Sequence, residues 1–75
     1  MRGEMIELYE GQTWRPSNGG ASRQIDQCKV AWVGDKYPLG TPMVCWAENA
    51  DKWGWCSASS FRAWIRRTKA ICVPW

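Results

Sequence analysis

The chain has 75 residues, 45% of them hydrophobic and 23% charged, with a formal net charge of +3. That length fits one domain, and the composition is globular rather than disordered or collagen-like. Its apolar runs are too short to span a bilayer, and no apolar stretch of roughly 7–15 residues follows a basic start, since Met5-Ile6 lies between Glu4 and Glu7. The expected setting is a cytoplasm that keeps thiols reduced.

The first ten residues set Glu4, Glu7 and Glu10 against Arg2 and read as an acidic N-terminal segment, residues 1–10, ahead of a single small β-barrel domain, residues 11–75. Gly11 opens a segment that ends at Arg15-Pro16, and Ser17-Asn18-Gly19-Gly20 is a loop. Gln24 to Val33 reads as a long strand, with Cys28, Val30 and Trp32 on one face and Lys29, Ala31 and Val33 on the other. Gly34, Pro38, Gly40 and Pro42 exclude regular structure from the next stretch. Met43 to Glu48 is a second alternating run, with Val44 and Trp46 opposed to Met43, Cys45 and Ala47. Asn49-Ala50-Asp51-Lys52 suits a hairpin, and Trp53 to Cys56 lies across it.

The period then changes. Phe61, Trp64, Ile65 and Thr68 recur at i, i+3, i+4 and i+7, which is one helical stripe. This predicts a helix between Ala58 and Arg67, capped by Ser57, Ser59 or Ser60, and a closing strand from Ala70 to Val73 stopped by Pro74. The fold class expected is mainly β: a small, partly open barrel with one short helical element before the last strand.

Seven tryptophans stand beside one Phe and two Tyr. Ordering a chain costs about 1.5 kcal/mol per residue, on the order of 110 kcal/mol here. Each buried indole removes roughly 150–250 Å² from water, worth about 4–6 kcal/mol gross. Trp32 and Trp64 have the strongest claim to the core, and Trp14 joins them as a first-strand residue. Trp53 and Trp55 are two apart, so both face one side of a strand. Trp46 can sit opposite or diagonal to one of them. If Cys45 and Cys56 face inward, all three indoles form an exposed patch; if not, they are core. Trp75 reads as a tether or a dimer contact.

Charge is uneven. Residues 1–37 carry five basic and five acidic groups, and residues 38–75 five basic and two acidic. Arg62, Arg66, Arg67 and Lys69 follow the last acid, Asp51. Such an end can meet phosphates or an acidic protein patch, or simply be a solvated face.

Catalysis finds no support. There is no His to act as a base near neutral pH, the carboxylates show no paired spacing, and no phosphate-binding glycine motif follows Gly19-Gly20. Cys28, Cys45, Cys56 and Cys72 lack the close pairs of structural zinc sites. Buried free thiols are the expected state, with two disulfides or an all-thiolate site from four separate segments as the alternatives. No cofactor or metal is expected.

The order Gly11-x-x-Trp14-Arg15, Arg23-x-Ile25, the Val30/Trp32 strand, then Trp53-Gly54-Trp55 leading into Phe61-x-x-Trp64-Ile65 resembles small SH3-like barrel proteins of phage, prophage or bacterial origin, over about residues 11–73. The resemblance implies a barrel closed by a hairpin, a short helical turn and a final strand. The proline-peptide groove does not carry over, because Tyr9 and Tyr37 lie outside the expected positions. The expected function is a small non-enzymatic protein-binding module, such as an inhibitor of a host protein, since Trp and Arg are enriched at interface hot spots. The alternative is a single-stranded nucleic-acid binder that stacks bases on exposed Trp and tracks phosphates with its basic C-terminal face. The expected binding residues are Trp46, Trp53, Trp55, Arg62, Arg66, Arg67 and Lys69, combining the Trp hairpin with the basic element. No membrane partner is expected, and the oligomeric state is open.

Overall fold

In chain order the elements are β1 (Thr13–Arg15), β2 (Arg23–Val30), β3 (Pro42–Asn49), β4 (Lys52–Ser57), α1 (Ala58–Thr68) and β5 (Ile71–Val73). They come from a computed structural model that describes residues 6–31 and 37–73. Glu4, Trp32, Val33 and Trp75 lie outside the described residues. The strands form one sheet in the order β4-β3-β2-β1-β5, each neighbouring pair antiparallel. The domain is thus mainly β, open at the β4 and β5 edges, with one short helix before the last strand.

Local chemistry explains the joints. Asn49 Oδ1 accepts hydrogen bonds from the backbone N–H groups of Asp51 (2.8 Å) and Lys52 (3.0 Å), an Asx turn that folds β4 back onto β3. The strand then passes directly into α1 at Ser57, whose extended backbone and hydroxyl cap the helix by accepting from Ser60 N–H at 3.1 Å. Replacing Ser57 by Ala should cost about 1 kcal/mol, read as a shift in the urea midpoint at unchanged slope; a loss within error would show that the cap is dispensable.

The far end of α1 closes just as completely. Lys69 takes a left-handed conformation (φ 54°), its N–H reaches the Arg66 carbonyl, and Ala70 N–H donates to the Ile65 carbonyl at 2.9 Å. Ser17, from the turn after β1, donates its N–H to the Thr68 carbonyl (3.0 Å) and its hydroxyl to the Lys69 carbonyl (2.6 Å). Two helix-terminal carbonyls thus find partners more than fifty residues back in the chain.

The core lies between the sheet and α1. Trp14, Ile25 and Val44 from the strands meet Ala58, Phe61, Trp64 and Ile65 from the helix, with Ala70 below and Ile6, Leu8, Trp46 and Cys56 packed around the margin. Phe61 and Trp64 touch with ring centroids 5.3 Å apart. The helical stripe is therefore core, as its period implied.

The acidic segment does not stand apart where it is described. Gln12 is buried: its side-chain oxygen accepts from the Tyr9 N–H (2.9 Å) and the Trp14 indole N–H (3.1 Å), while its amide donates to the Glu7 carbonyl (3.2 Å). Arg62 Nε donates to the Ile6 carbonyl at 2.8 Å, so the start of the described chain is fastened to the helix. Tyr9 also hydrogen-bonds the Glu7 carboxylate, which holds the phenol proton on and raises its pKa.

Two bulges interrupt the ladder. On β2 the register steps from Ile25↔Trp46 to Gln27↔Cys45, leaving Asp26 as the extra residue. On β3 it steps from Ala47↔Trp53 to Asn49↔Lys52, leaving Glu48 extra. Both extra residues are acids, and both matter below.

Candidate functional site

Only one face of the sheet is covered by α1. The other carries Trp53 and Trp55 from β4, Met43, Cys45 and Ala47 from β3, Gln24, Gln27 and Lys29 from β2, and Thr13 from β1, assigned by cross-strand pairing. Trp53 keeps 59% of its surface exposed and Trp55 41%. Two half-open indoles on adjacent same-face positions of an edge strand form an apolar patch of the kind that marks an interaction site.

Trp46 does not join them. Its direct partner is Gly54, on the opposite face from the Trp53/Trp55 pair. A Cβ built on Gly54 would stand 3.4 Å from the Trp46 ring, so the missing side chain makes room for the indole. The expectation of three indoles on one surface is corrected to two. The cause is the extra residue Glu48. Without it the Asn49↔Lys52 pairing would place Trp46 opposite Trp55, but one inserted residue moves Trp46 to the other side.

Trp46 is occupied on the helix-covered face. The Arg23 guanidinium carbon lies 4.1 Å from the Trp46 ring centroid and 4.5 Å from that of Trp64, gripped between the two indoles. Its Nε is buried without a hydrogen bond and stands 3.6 Å from Glu48 Oε2, while the other Glu48 oxygen lies 3.6 Å from Lys52 Nζ. On the uncovered face Lys29 Nζ sits 5.2 Å from the Trp55 centroid.

The basic residues singled out from the sequence fall elsewhere. Arg66, Arg67 and Lys69 are exposed on and just after α1, and Arg62 is half-buried against the N-terminal segment. Because α1 covers the face opposite Trp53 and Trp55, these cations and that indole pair do not share a surface. The expected combination of Trp hairpin and basic helix is corrected on this point.

An open concavity of about 540 Å³ runs beside Trp53 on the uncovered face. Cys45 and Ala47 line it in the middle, Gln24, Asp26 and Thr13 on one side, and Trp53, Glu48 and Asn49 on the other. Asp26 and Gln27 both stand against Cys45 at the bulge, so the extra residue adds a carboxylate to this face. The Cys45 thiol is pushed up from its usual pKa by burial and then by the Asp26 charge, with Lys29 pulling the other way. Among the described residues none forms an ion pair with Asp26. Nothing in the sequence announced this trough, because both bulges are needed to assemble it.

The four thiols are unpaired. Cys28 and Cys56 flank Val44 on the helix-covered face, two strand spacings or about 10 Å apart, beyond the roughly 7 Å Cα limit of a disulfide. Cys45 faces the other way and Cys72 lies opposite Trp14 on β5. Burial raises the pKa of Cys28 and Cys56 as well, with Glu10 adding to it at Cys28 and Arg23 opposing it at Cys56. No three metal-ligating side chains converge among the described residues, and none of the described helices is long and apolar enough to cross a membrane. Comparison with protein-family models, with curated proteins and with solved structures finds no match to this chain.

Proposed function

We propose that this domain is a non-enzymatic protein-binding module whose working surface is the uncovered sheet face, centred on Trp53 and Trp55. The observation that carries the reading is their exposure, side by side on an edge strand, on the face α1 leaves bare. Solvent contact on indoles costs stability that a partner recovers by covering them, and Trp is the residue most enriched at binding hot spots. An inhibitor acting on a host protein in the bacterial cytosol is one role such a module fills, in keeping with the SH3-like resemblance.

Charge placement favours protein over nucleic acid. A single strand stacked on Trp53 would lay its phosphates beside Asp26, and the Arg66, Arg67 and Lys69 cations are on the wrong side to join Lys29 in neutralising them. The test is a paired substitution, Trp53→Ser with Trp55→Ser, which leaves the core untouched. Capture of a bound protein from bacterial lysate should weaken by about tenfold or more, a loss of at least about 1.4 kcal/mol, with the melting temperature nearly unchanged. Arg66→Ala with Arg67→Ala should bind like the parent. Undiminished binding by the tryptophan variant, or tight salt-sensitive binding of oligo-dT that it abolishes, would overturn the reading.

A further inference from the structure

The trough beside Trp53 is specific enough in its chemistry to describe what enters it. Trp53 lies on β4 and Asp26 on β2, two strands that flank β3 and so run about 10 Å apart. The trough's middle is lined by the small side chains of Cys45 and Ala47; Gln24 stands directly across Ala47 from Trp53, and Asp26, farther along β2 at the bulge, lines the same space. A cation stacks with its charge about 4–6 Å from an indole centroid and pairs with a carboxylate at about 2.7–2.9 Å.

We propose that the trough receives a single arginine side chain of the protein partner, its guanidinium against Trp53 and paired to Asp26. This rests on the reading of the uncovered face as a protein-binding surface and names the residue it recognises. Three features select the occupant. Asp26 has no ion pair among the described residues, whereas Glu48 is shared between Arg23 and Lys52. An apolar side chain would desolvate Asp26 and Gln24 without satisfying them, and an acidic one would be repelled. Arginine is preferred to lysine because a planar guanidinium can stack and hydrogen-bond at once. The molecule applies the same chemistry internally, with Arg23 between Trp46 and Trp64 and Lys29 over Trp55, yet no cation of a described residue lies over Trp53. The net charge of +3 disfavours a run of basic residues, so the partner presents an isolated arginine in a neutral or acidic surface.

The experiment uses the full chain, nitrogen-15 labelled, titrated with N-acetyl-arginine amide and separately with N-acetyl-citrulline amide, which has the same shape without the charge. Arginine amide should give saturable shifts at the Trp53 indole N–H and at the Asp26 and Ala47 amides, and citrulline amide should bind about fivefold or more weakly. Asp26→Asn should weaken arginine amide to the citrulline level without altering peak dispersion. Equal binding of the two amides to the parent chain, or no saturable shift at those groups up to about 100 mM, overturns the proposal, and neither outcome depends on how the variant folds. If arginine amide fails while the Trp53/Trp55 variant still loses its protein partner, the arginine assignment falls and the binding face stands. If arginine amide binds as expected while that variant keeps its partner, the trough takes arginine but not the partner's, and the proposal falls with the reading it rests on.

Discussion

Replacing Trp64 by Ala is expected to remove about 3–5 kcal/mol of folding stability, the range for losing a large aromatic from a packed core. For a domain this size that is on the order of a 15–30 °C fall in melting temperature. Trp64 is buried in the cluster that holds Trp14, Ile25, Val44, Phe61 and Ile65, and it also forms one jaw of the grip on Arg23. Its removal therefore opens a cavity and frees a guanidinium at once. Small domains have little stability in reserve, so the variant should be largely unfolded at 37 °C, with lost amide dispersion and a urea midpoint near zero. A loss under about 1 kcal/mol would mean that the helix does not anchor the sheet through this residue.

Arg23 carries the second large effect. Arg23→Ala should cost about 2–3 kcal/mol, since stacking on each indole contributes roughly 0.5–2 kcal/mol when desolvated and the aliphatic stem loses its packing too. Because its Nε makes no hydrogen bond, the residue is held by the faces of Trp46 and Trp64 more than by Glu48. Lysine should therefore rescue less than half of the loss, because an ammonium cannot present a plane to both rings. A double-mutant cycle with Trp64→Ala should show strong coupling, with the pair costing well under the sum of the singles. Additive losses, or full rescue by Lys, would refute the grip as a stacking interaction.

What could be read from the chain depended on how local the determinant was. The helix was legible because Phe61, Trp64 and Ile65 mark one stripe and Ser57 supplies its cap, all within a dozen residues. The β3–β4 hairpin was legible from Asn49 and its neighbours for the same reason. The strand alternation of Val44 and Trp46 against Met43, Cys45 and Ala47 was also read correctly, since a pleat needs no partner to define its two sides. The relative facing of Trp46 and Trp55 was not legible. It turns on whether the ladder carries one extra residue, and a bulge at Glu48 has no marker in composition or period. On β2, Cys28 and Val30 do share a face, but both are exposed in the described structure, because the helix covers only part of the sheet. The Arg23 grip and the Asp26 trough each join residues brought together only by sheet register. A basic residue and an acidic one, read singly, look like ordinary surface charges.

The bonds from Ser17 to the end of α1, together with the pairing of β1 with β5, bear on the order in which the molecule can assemble. Synthesis proceeds from the N-terminus at about 5–20 residues per second. Residues 13–17 therefore wait several seconds for Thr68–Val73, the last partners they acquire. Until then β1 has one neighbour instead of two, and Trp14 faces a cavity that the helix has not yet filled. The β2–β3–β4 meander can form while the chain is still growing, but the sheet cannot be completed before its fifth strand appears. A circular permutant that places α1 and β5 immediately before β1 would turn that long-range closure into a local one, and should refold faster than the parent, at a stability lowered by the cut beside the Ser57 cap.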